Sequence, residues 1–220
     1  SSGVDFFSTE AMAPYYDRAE HNICLQTVSE QHRNRNAEIF DAGFENNGYQ
    51  NAPLRRAQAD CRFDDGNSCI ECLFGCRIDS KQSTAITALP KAEAAGAIGN
   101  SSLLLRSGFG QGRPALGREF YVHPQYMNFG VYDEPVNAHL GPLQNYKSAD
   151  PGFRRQGFKL ENVFAGPSSI ALLIPGFGLE HQQMMKKYDH LACVEVCVRD
   201  TNPGRIKVNR KGQTIIEKKL

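Results

Sequence analysis

The sequence predicts an α+β fold, in which helices pack on one face of a mostly antiparallel sheet and a helical, loop-rich part comes first. Two observations predict it. Helix caps and helical apolar spacing occur before Ser107, whereas alternating, aromatic-rich runs follow Phe120. With 220 residues and 40% apolar composition, the chain is long enough to bury a sizeable core.

The amino-terminal part is predicted to contain one early helix and a loop-rich surface segment. Ser8 is a suitable cap for a helix that continues towards Ile23. From Gln31 to Asn51 the sequence is rich in Asn, Arg, Glu and Gly, so we expect surface loops there. One stretch within it, around residues 37–42, has helical character.

Two further helices are predicted before the strands begin. The first runs from Ser80 to about Ala95. The second has Asn100 or Ser101 as its cap and ends at the glycine-rich sequence Ser107–Gly110.

Strands dominate the second half of the chain. They are predicted at Phe120–Tyr132, Phe158–Ala165, Ala192–Arg199 and Arg205–Asn209. We expect them to form one sheet, with a helix from about Pro167 to Tyr188 on a face. The turn Thr201–Gly204 is predicted to join the last two strands as a hairpin.

Charge and hydropathy exclude several classes of partner. With 25 Lys and Arg against 24 Asp and Glu, no electrostatic argument favours nucleic acid, so a small molecule or a protein is expected. No run approaches the roughly 20 apolar residues of a transmembrane helix. Seven cysteines are an odd number, which suits thiols or a metal and favours a reducing compartment. The expected location is the cytoplasm, with the periplasm or the membrane periphery as alternatives.

One segment carries a family resemblance. Gly96 to Gly110 reads GAIGNSSLLLRSGFG and resembles the second signature of the GMC (glucose–methanol–choline) oxidoreductases. Asn100 and Phe109 depart from that signature, but they keep its capping and apolar character. Leu116–Pro124, which includes a Gly-Arg and a His-Pro pair, is similar to the family's sequence motif that precedes the first strand of the substrate domain. The likeness runs from about residue 5 to the end of the chain.

The resemblance implies an FAD-dependent enzyme that oxidises an alcohol or a sugar hydroxyl by hydride transfer to the flavin. It places His123, Asn100 and Ser101 near the flavin, although a structural role for His123 is equally compatible with the sequence. The strand aromatics Tyr126, Phe129, Tyr146 and Phe164 are candidates for a substrate pocket. Core packing explains most of these aromatic residues equally well.

Departures from the family pattern predict an incomplete enzyme. The chain has neither the Gly-x-Gly-x-x-Gly turn nor the family's carboxy-terminal catalytic histidine, so we expect it to lack the FAD-binding amino terminus and the catalytic carboxy terminus. A missing FAD-binding domain is then an expected partner, no catalytic residue lies in this chain, and the isolated chain is inactive. Residues 1–95 and 96–220 are predicted to be two discontinuous pieces of one substrate domain.

Four closely spaced cysteines offer a rival interpretation. Cys61, Cys69, Cys72 and Cys76 are close enough in sequence for their thiolates to bind one metal or iron–sulfur cluster. Structural thiols or one disulfide are the alternative. The rival function is therefore an electron-transfer or metal-binding module that uses the loop from Cys61 to Cys76. A third is a noncatalytic binding domain.

Overall fold

The computed structural model describes residues 8–22, 25–57, 61, 63–70 and 96–219. These residues form two compact units. Unit 1 contains the described residues up to 70 together with 127–196, and unit 2 contains 96–126 together with 197–219. Helices and antiparallel strands occur in both units, which confirms the predicted α+β class.

The described helices and strands are numbered here in chain order. The helices are α1 (Thr9–Asn22), α2 (Arg35–Asn46), α3 (Gly96–Arg106), α4 (Pro151–Gln156), α5 (Pro167–Leu173) and α6 (Gly178–Met185). The strands are β1 (Leu25–Thr27), β2 (Asn51–Pro53), β3 (Arg55–Ala57), β4 (Gln125–Val131), β5 (Tyr146–Ser148), β6 (Phe158–Asn162), β7 (Leu191–Val198), β8 (Arg205–Val208) and β9 (Thr214–Glu217). None of the helices described is both long and apolar enough to cross a membrane.

The amino-terminal helix agrees with the sequence. Ser8 Oγ accepts a hydrogen bond from the backbone N–H of Ala11 at 3.1 Å, as expected of a cap. Near the other end of α1, Glu20 binds Arg55 of β3, with Nη1 and Oε1 2.8 Å apart. β3 in turn pairs with β1 in an antiparallel ladder.

A five-stranded sheet organises most of the fold, in the order β2-β5-β6-β7-β4. β5 pairs antiparallel with both β2 and β6, and Pro53 lies opposite Tyr146 in the first ladder. Three of the four predicted strands, now β4, β6 and β7, therefore belong to one sheet. The fourth, β8, does not.

The segment interpreted from sequence as surface loops contains a helix of the core. α2 buries Ala37, Phe40 and Phe44 against Tyr146 of β5. The helix is also longer than the predicted stretch, because its Asn34 cap lies outside the apolar pattern. The asparagines that made this segment look like a loop are structural.

Three asparagines hold α2 and the sheet together. Asn34 caps α2 through its Oδ1, and its Nδ2 donates to the carbonyls of Ala138, Leu140 and Pro142 at 2.9–3.2 Å. Asn36 is buried, accepts from the N–H of Cys193 at 3.0 Å and donates to the carbonyl of Val163 at 3.3 Å.

Asn162 is the third of these asparagines and lies at the end of β6. Its Oδ1 accepts from the backbone N–H groups of Asn145 and Tyr146, at 3.0 and 2.6 Å. A side chain of β6 thereby fixes the backbone where β5 begins.

The helical segment predicted from Pro167 to Tyr188 is two helices rather than one. α5 packs Ile170 and Ile174 into a core shared with Leu191. Pro175 then lacks the N–H that a continuing helix needs, and Gly176 has a φ of +95°, so the chain turns before α6 begins.

Unit 2 joins α3 to the β8–β9 hairpin. β8 pairs with β9 rather than with β7, so the hairpin predicted at Thr201–Gly204 is wrong. The turn forms instead where Asn209 Oδ1 accepts from the N–H groups of Lys211 and Gln213, both at 2.9 Å.

Gly117 is required where the chain passes β8. Its φ is +73°, and its carbonyl accepts from the N–H of Ile206 at 2.7 Å. A Cβ at this position would overlap the carbonyl oxygen of Ile206. Backbone packing within unit 2 therefore explains Gly117, the glycine of the family-like motif Leu116–Pro124.

Replacing Asn36 by alanine is expected to destabilise the protein by about 2–4 kcal/mol, because the buried N–H of Cys193 and carbonyl of Val163 both lose their partner. The matched variant is Asn47→Ala, whose exposed side chain binds the Gly43 carbonyl and no other group of the described residues, and we expect a loss of under about 1 kcal/mol. Urea unfolding measures both. Similar losses for the two variants would contradict the structural role of Asn36.

Gly117→Ala is expected to cost about 3–5 kcal/mol, since it combines left-handed strain with overlap on Ile206. Gly108 has nearly the same φ, +77°, but a Cβ there would meet no atom within 4 Å. Gly108→Ala should therefore cost only the strain, about 1–2 kcal/mol. Urea unfolding followed by circular dichroism compares the two, and equal losses would refute the close approach.

Candidate functional site

The signature helix α3 is anchored in unit 2 by buried polar contacts. Ser102 is 3% exposed; its Oγ donates to the Ile98 carbonyl at 2.7 Å and accepts from the Thr214 hydroxyl at 2.9 Å. Arg106 also donates to that hydroxyl, at 3.1 Å. Ser102 thus fixes α3 to β9, whereas the sequence had pointed to the neighbouring Ser101 as a functional residue.

Asn100 and Ser101 lie inside α3, so neither is the cap that the sequence predicted. Asn100 is exposed and Ser101 is half-buried. The helix begins at Gly96, whose φ is +68° and where a Cβ would meet no atom within 4 Å. Residues 96–98 in the first turn of α3 are exposed.

His123 belongs to the same unit and is exposed. The residues on either side of it are tied to unit 2. The N–H of Val122 donates to Asp200 Oδ2 at 2.8 Å, and the carbonyl of Pro124 accepts from Val198 at 2.9 Å. These two tethers leave the imidazole projecting from a fixed backbone.

Asp200 is the charged group that orders this segment. Its hydrogen bond from Lys218, at 2.8 Å, and the N–H of Val122 hold the pKa of the carboxyl below its usual range. Asp200 therefore stays ionised and continues to accept both hydrogen bonds at neutral pH.

A flavin nucleotide needs backbone N–H donors for its phosphates and open space for its ring. The exposed first turn of α3 offers the N–H donors, so the described residues fit a phosphate at one edge of FAD. No strand–glycine turn–helix unit for the pyrophosphate occurs in the parts of the chain described here. The fit is therefore to an edge of the cofactor, not to the whole molecule.

The four aromatic residues predicted for a substrate pocket are not grouped together. Phe164 is buried, and Phe129 packs against the core that contains it. Tyr146 lies in the core of α2, whereas Tyr126 belongs to unit 2 and is 65% exposed. Strand alternation identified apolar positions but did not separate core residues from pocket residues.

Tyr146 does reach a cleft of about 380 Å³ in unit 1. Thr27, Val28, Ser29, Glu30, Arg33, Pro53, Asn145 and Tyr146 line it. The sequence missed Arg33 and Asn145. Asn145 directly precedes Tyr146, a predicted pocket residue, and this position was the one sequence feature that could have identified Asn145 as lining the cleft.

The charge on Arg33 is already balanced at this cleft. Its guanidinium lies over the Tyr146 ring, 4.6 Å from the centroid. Nη2 donates to Glu30 at 2.7 Å and Nη1 donates to Asp41 at 3.0 Å. Burial raises the pKa of the Tyr146 phenol, so its hydroxyl stays protonated at physiological pH.

Two of the four loop cysteines can be placed. Cys69 is buried, with Arg56 Nη2 3.5 Å from its Sγ, and Cys61 is half-buried. Cys72 and Cys76 lie outside the described residues, as does the predicted helix from Ser80 to Ala95.

Cys193 is a buried thiol in the middle of the sheet. Burial, with Glu195 as a second cause, raises the pKa of the thiol to about 12. It therefore carries no thiolate at neutral pH and cannot serve as a nucleophile.

Comparison with known proteins shows a similarity to GMC-type oxidoreductases. Residues 1–97 match the amino-terminal family model described as GMC oxidoreductase. The chain is 23% identical over 258 residues to an uncharacterized GMC-type oxidoreductase of Mycobacterium tuberculosis, found in two strains; the match covers 97% of the chain and 40% of that protein. It is 25% identical over 188 residues to an uncharacterized GMC-type oxidoreductase of Sinorhizobium fredii; the match covers 64% of the chain and 35% of that protein.

These findings correct two expectations. The matching family model is the amino-terminal one, which is the FAD-binding domain, so the predicted absence of the FAD-binding amino terminus is not supported. FAD is supported as the cofactor of the family, and an iron–sulfur cluster on Cys61, Cys69, Cys72 and Cys76 is not. The chain spans about 40% of the length of the mycobacterial relatives. Over the matched parts, the chain is thus similar to the GMC-type oxidoreductases.

Proposed function

We propose that this chain provides substrate-binding and flavin-edge elements of an FAD-dependent oxidoreductase that oxidises an alcohol or sugar hydroxyl. The observation that carries the proposal is the grouping of the family-like residues. Asn100, Ser101 and His123 come from two separate sequence motifs, yet they lie in one compact unit. Bound FAD would supply the chemistry by accepting a hydride from the alcohol carbon.

Unit 2 would contribute to binding the cofactor. The open first turn of α3 presents backbone N–H groups that can bind the negatively charged edge of a flavin nucleotide. Asn100 adds a side-chain amide on the exposed surface of the same helix. The hydrogen bonds of Ser102 fix α3 to β9, so this edge is held before any cofactor binds.

His123 would face the boundary between cofactor and substrate. Its tethered neighbours, Val122 and Pro124, fix the backbone on both sides of the imidazole. A neutral imidazole can accept or donate one hydrogen bond at the substrate hydroxyl. We assign no catalytic proton transfer to this chain, in keeping with the family's use of a histidine elsewhere.

The relatives carry additional residues within the matched region. The mycobacterial match extends over 258 positions, which is more than the 220 residues of this chain. The relative is therefore longer than this chain within the matched region. The junction itself, near residue 95, lies outside the described residues.

FAD is therefore expected to bind the purified chain weakly and through α3. Asn100→Ala should weaken that binding by roughly fivefold, equivalent to about 1 kcal/mol for one hydrogen bond. Asn128→Ala is the matched control, since Asn128 is an exposed asparagine on β4. Quenching of flavin fluorescence during titration measures the affinity.

Two outcomes would contradict this account. Equal affinity of the two variants would show that α3 does not contact the cofactor. Stoichiometric flavin retained through purification would show a complete FAD site rather than an edge of one.

A further inference from the structure

We propose that an apolar tip, formed by residues 172–179 at the junction of α5 and α6, inserts into the surface of an anionic lipid bilayer. The tip belongs to unit 1 alone. Its lipid binding is therefore independent of the flavin edge assigned to unit 2.

The apolar tip exposes large hydrophobic side chains almost completely. Leu172 is 88% exposed, Phe177 is 91% exposed and Leu179 is 75% exposed. No residue from 167 to 179 carries a charge. Single exposed apolar residues are common on protein surfaces, but a group of them in one uncharged segment marks an interaction surface.

The two helices behind the tip hold it outward. Ile170 and Ile174 are buried in the core of unit 1, and Met184 packs against that core. His181 Nε2 donates to the carbonyl of Ala171 at 2.8 Å, which ties α6 to α5. Because these contacts fix both helices, the tip is presented to its surroundings at little cost in conformational entropy on binding.

Two lysines at the far end of α6 complement an anionic surface. Lys186 and Lys187 are exposed, and neither ammonium group has an ion pair or hydrogen bond within the described part of the chain. Glu180 is the one acidic residue from 167 to 187, so the lysines outnumber it. Asp189, the next acidic residue, has its carboxylate 3.9 Å from His139. The charge on this part of unit 1 therefore favours anionic headgroups over neutral ones.

The spacing between the tip and the lysines suits the layers of a bilayer surface. At the helical rise, Lys186 lies about 12 Å along α6 from Gly178. Apolar groups of interfacial proteins enter a bilayer by roughly 5–10 Å, to the boundary between headgroups and acyl chains. With the tip at that depth and α6 upright, the lysine ammonium groups meet the lipid phosphates.

The exposed apolar area is too small for a stable dimer through the tip. The large side chains of the tip together offer on the order of 500 Å², at roughly 150–250 Å² for each large side chain. A stable protein–protein interface buries about 800 Å² on each partner. A bilayer has no such threshold, because each apolar group that leaves water contributes by itself.

A single tryptophan would report insertion directly, because the chain contains none. Phe177→Trp places the indole at the tip of the full chain, and Tyr16→Trp places it at an exposed position of α1. Vesicles of equal parts phosphatidylcholine and phosphatidylglycerol should shift the emission of Phe177→Trp to shorter wavelength and leave that of Tyr16→Trp unchanged. No shift for Phe177→Trp, or equal shifts for the two variants, would overturn the proposal.

Sedimentation of the full chain with the same vesicles tests the apolar and the charged contacts separately. Phe177→Ser should weaken binding by about tenfold, because an apolar side chain no longer leaves water. Lys186→Gln should weaken it by about fivefold, and Glu180→Gln should strengthen it by a similar factor. All three side chains are exposed, so the fold is retained, which circular dichroism checks. Binding that depends on neither Phe177 nor Lys186, or that is equally tight to pure phosphatidylcholine, would refute the assignment.

Self-association is the outcome that would assign the tip to a second copy of this chain. In analytical ultracentrifugation without lipid, we expect the unmodified chain and Phe177→Ser to sediment alike. A dimer that Phe177→Ser abolishes, together with no binding to vesicles, would replace the lipid surface by a protein interface.

Discussion

The hydrogen bonds from Asn34 to the loop before β5, and from Asn36 to β7 and the residue that follows β6, are the constraint on which unit 1 depends. They connect α2 to segments more than 100 residues away, where no strand pairing makes the connection. Because the Val163 carbonyl and the Cys193 N–H meet these side chains in the interior, apolar residues could not replace them without leaving buried backbone groups unpaired. The apolar contacts of Phe40 and Phe44 bury α2 against Tyr146 of the same sheet.

The same kind of interaction shapes the cleft of unit 1. Asn162 binds the backbone N–H groups of both Asn145 and Tyr146, so the start of β5 is fixed without the side chain of either residue. Asn145 and Tyr146 line the cleft of unit 1 from this fixed backbone.

Much of the fold followed from sequence patterns. Alternation located β4, β6 and β7, and the helical spacing after Ser8 located α1. α2 was underestimated because an asparagine-rich composition is typical of loops, and composition does not reveal that Asn36 is buried. β9 was missed because four residues, Thr214–Glu217, next to a basic turn give too short an alternation.

The site was only partly accessible from sequence. Asn100, Ser101 and His123 were selected through a family resemblance, and they lie in one unit. Alternation could not decide between core and pocket, because both require apolar residues on one face of a strand. Asn145 and Arg33 carried no motif, since their significance comes from burial and from partners that are remote in the chain.

Native-state hydrogen exchange at the Cys193 amide tests the central claim most directly. This N–H donates to a side chain, Asn36 Oδ1, that belongs to a helix remote in sequence. If α2 and the sheet form one cooperative structure, the amide exchanges only through global unfolding, with the free energy measured by urea unfolding. Exchange at the rate of an exposed loop amide would show that the asparagine contact opens independently, and the account of unit 1 would fail.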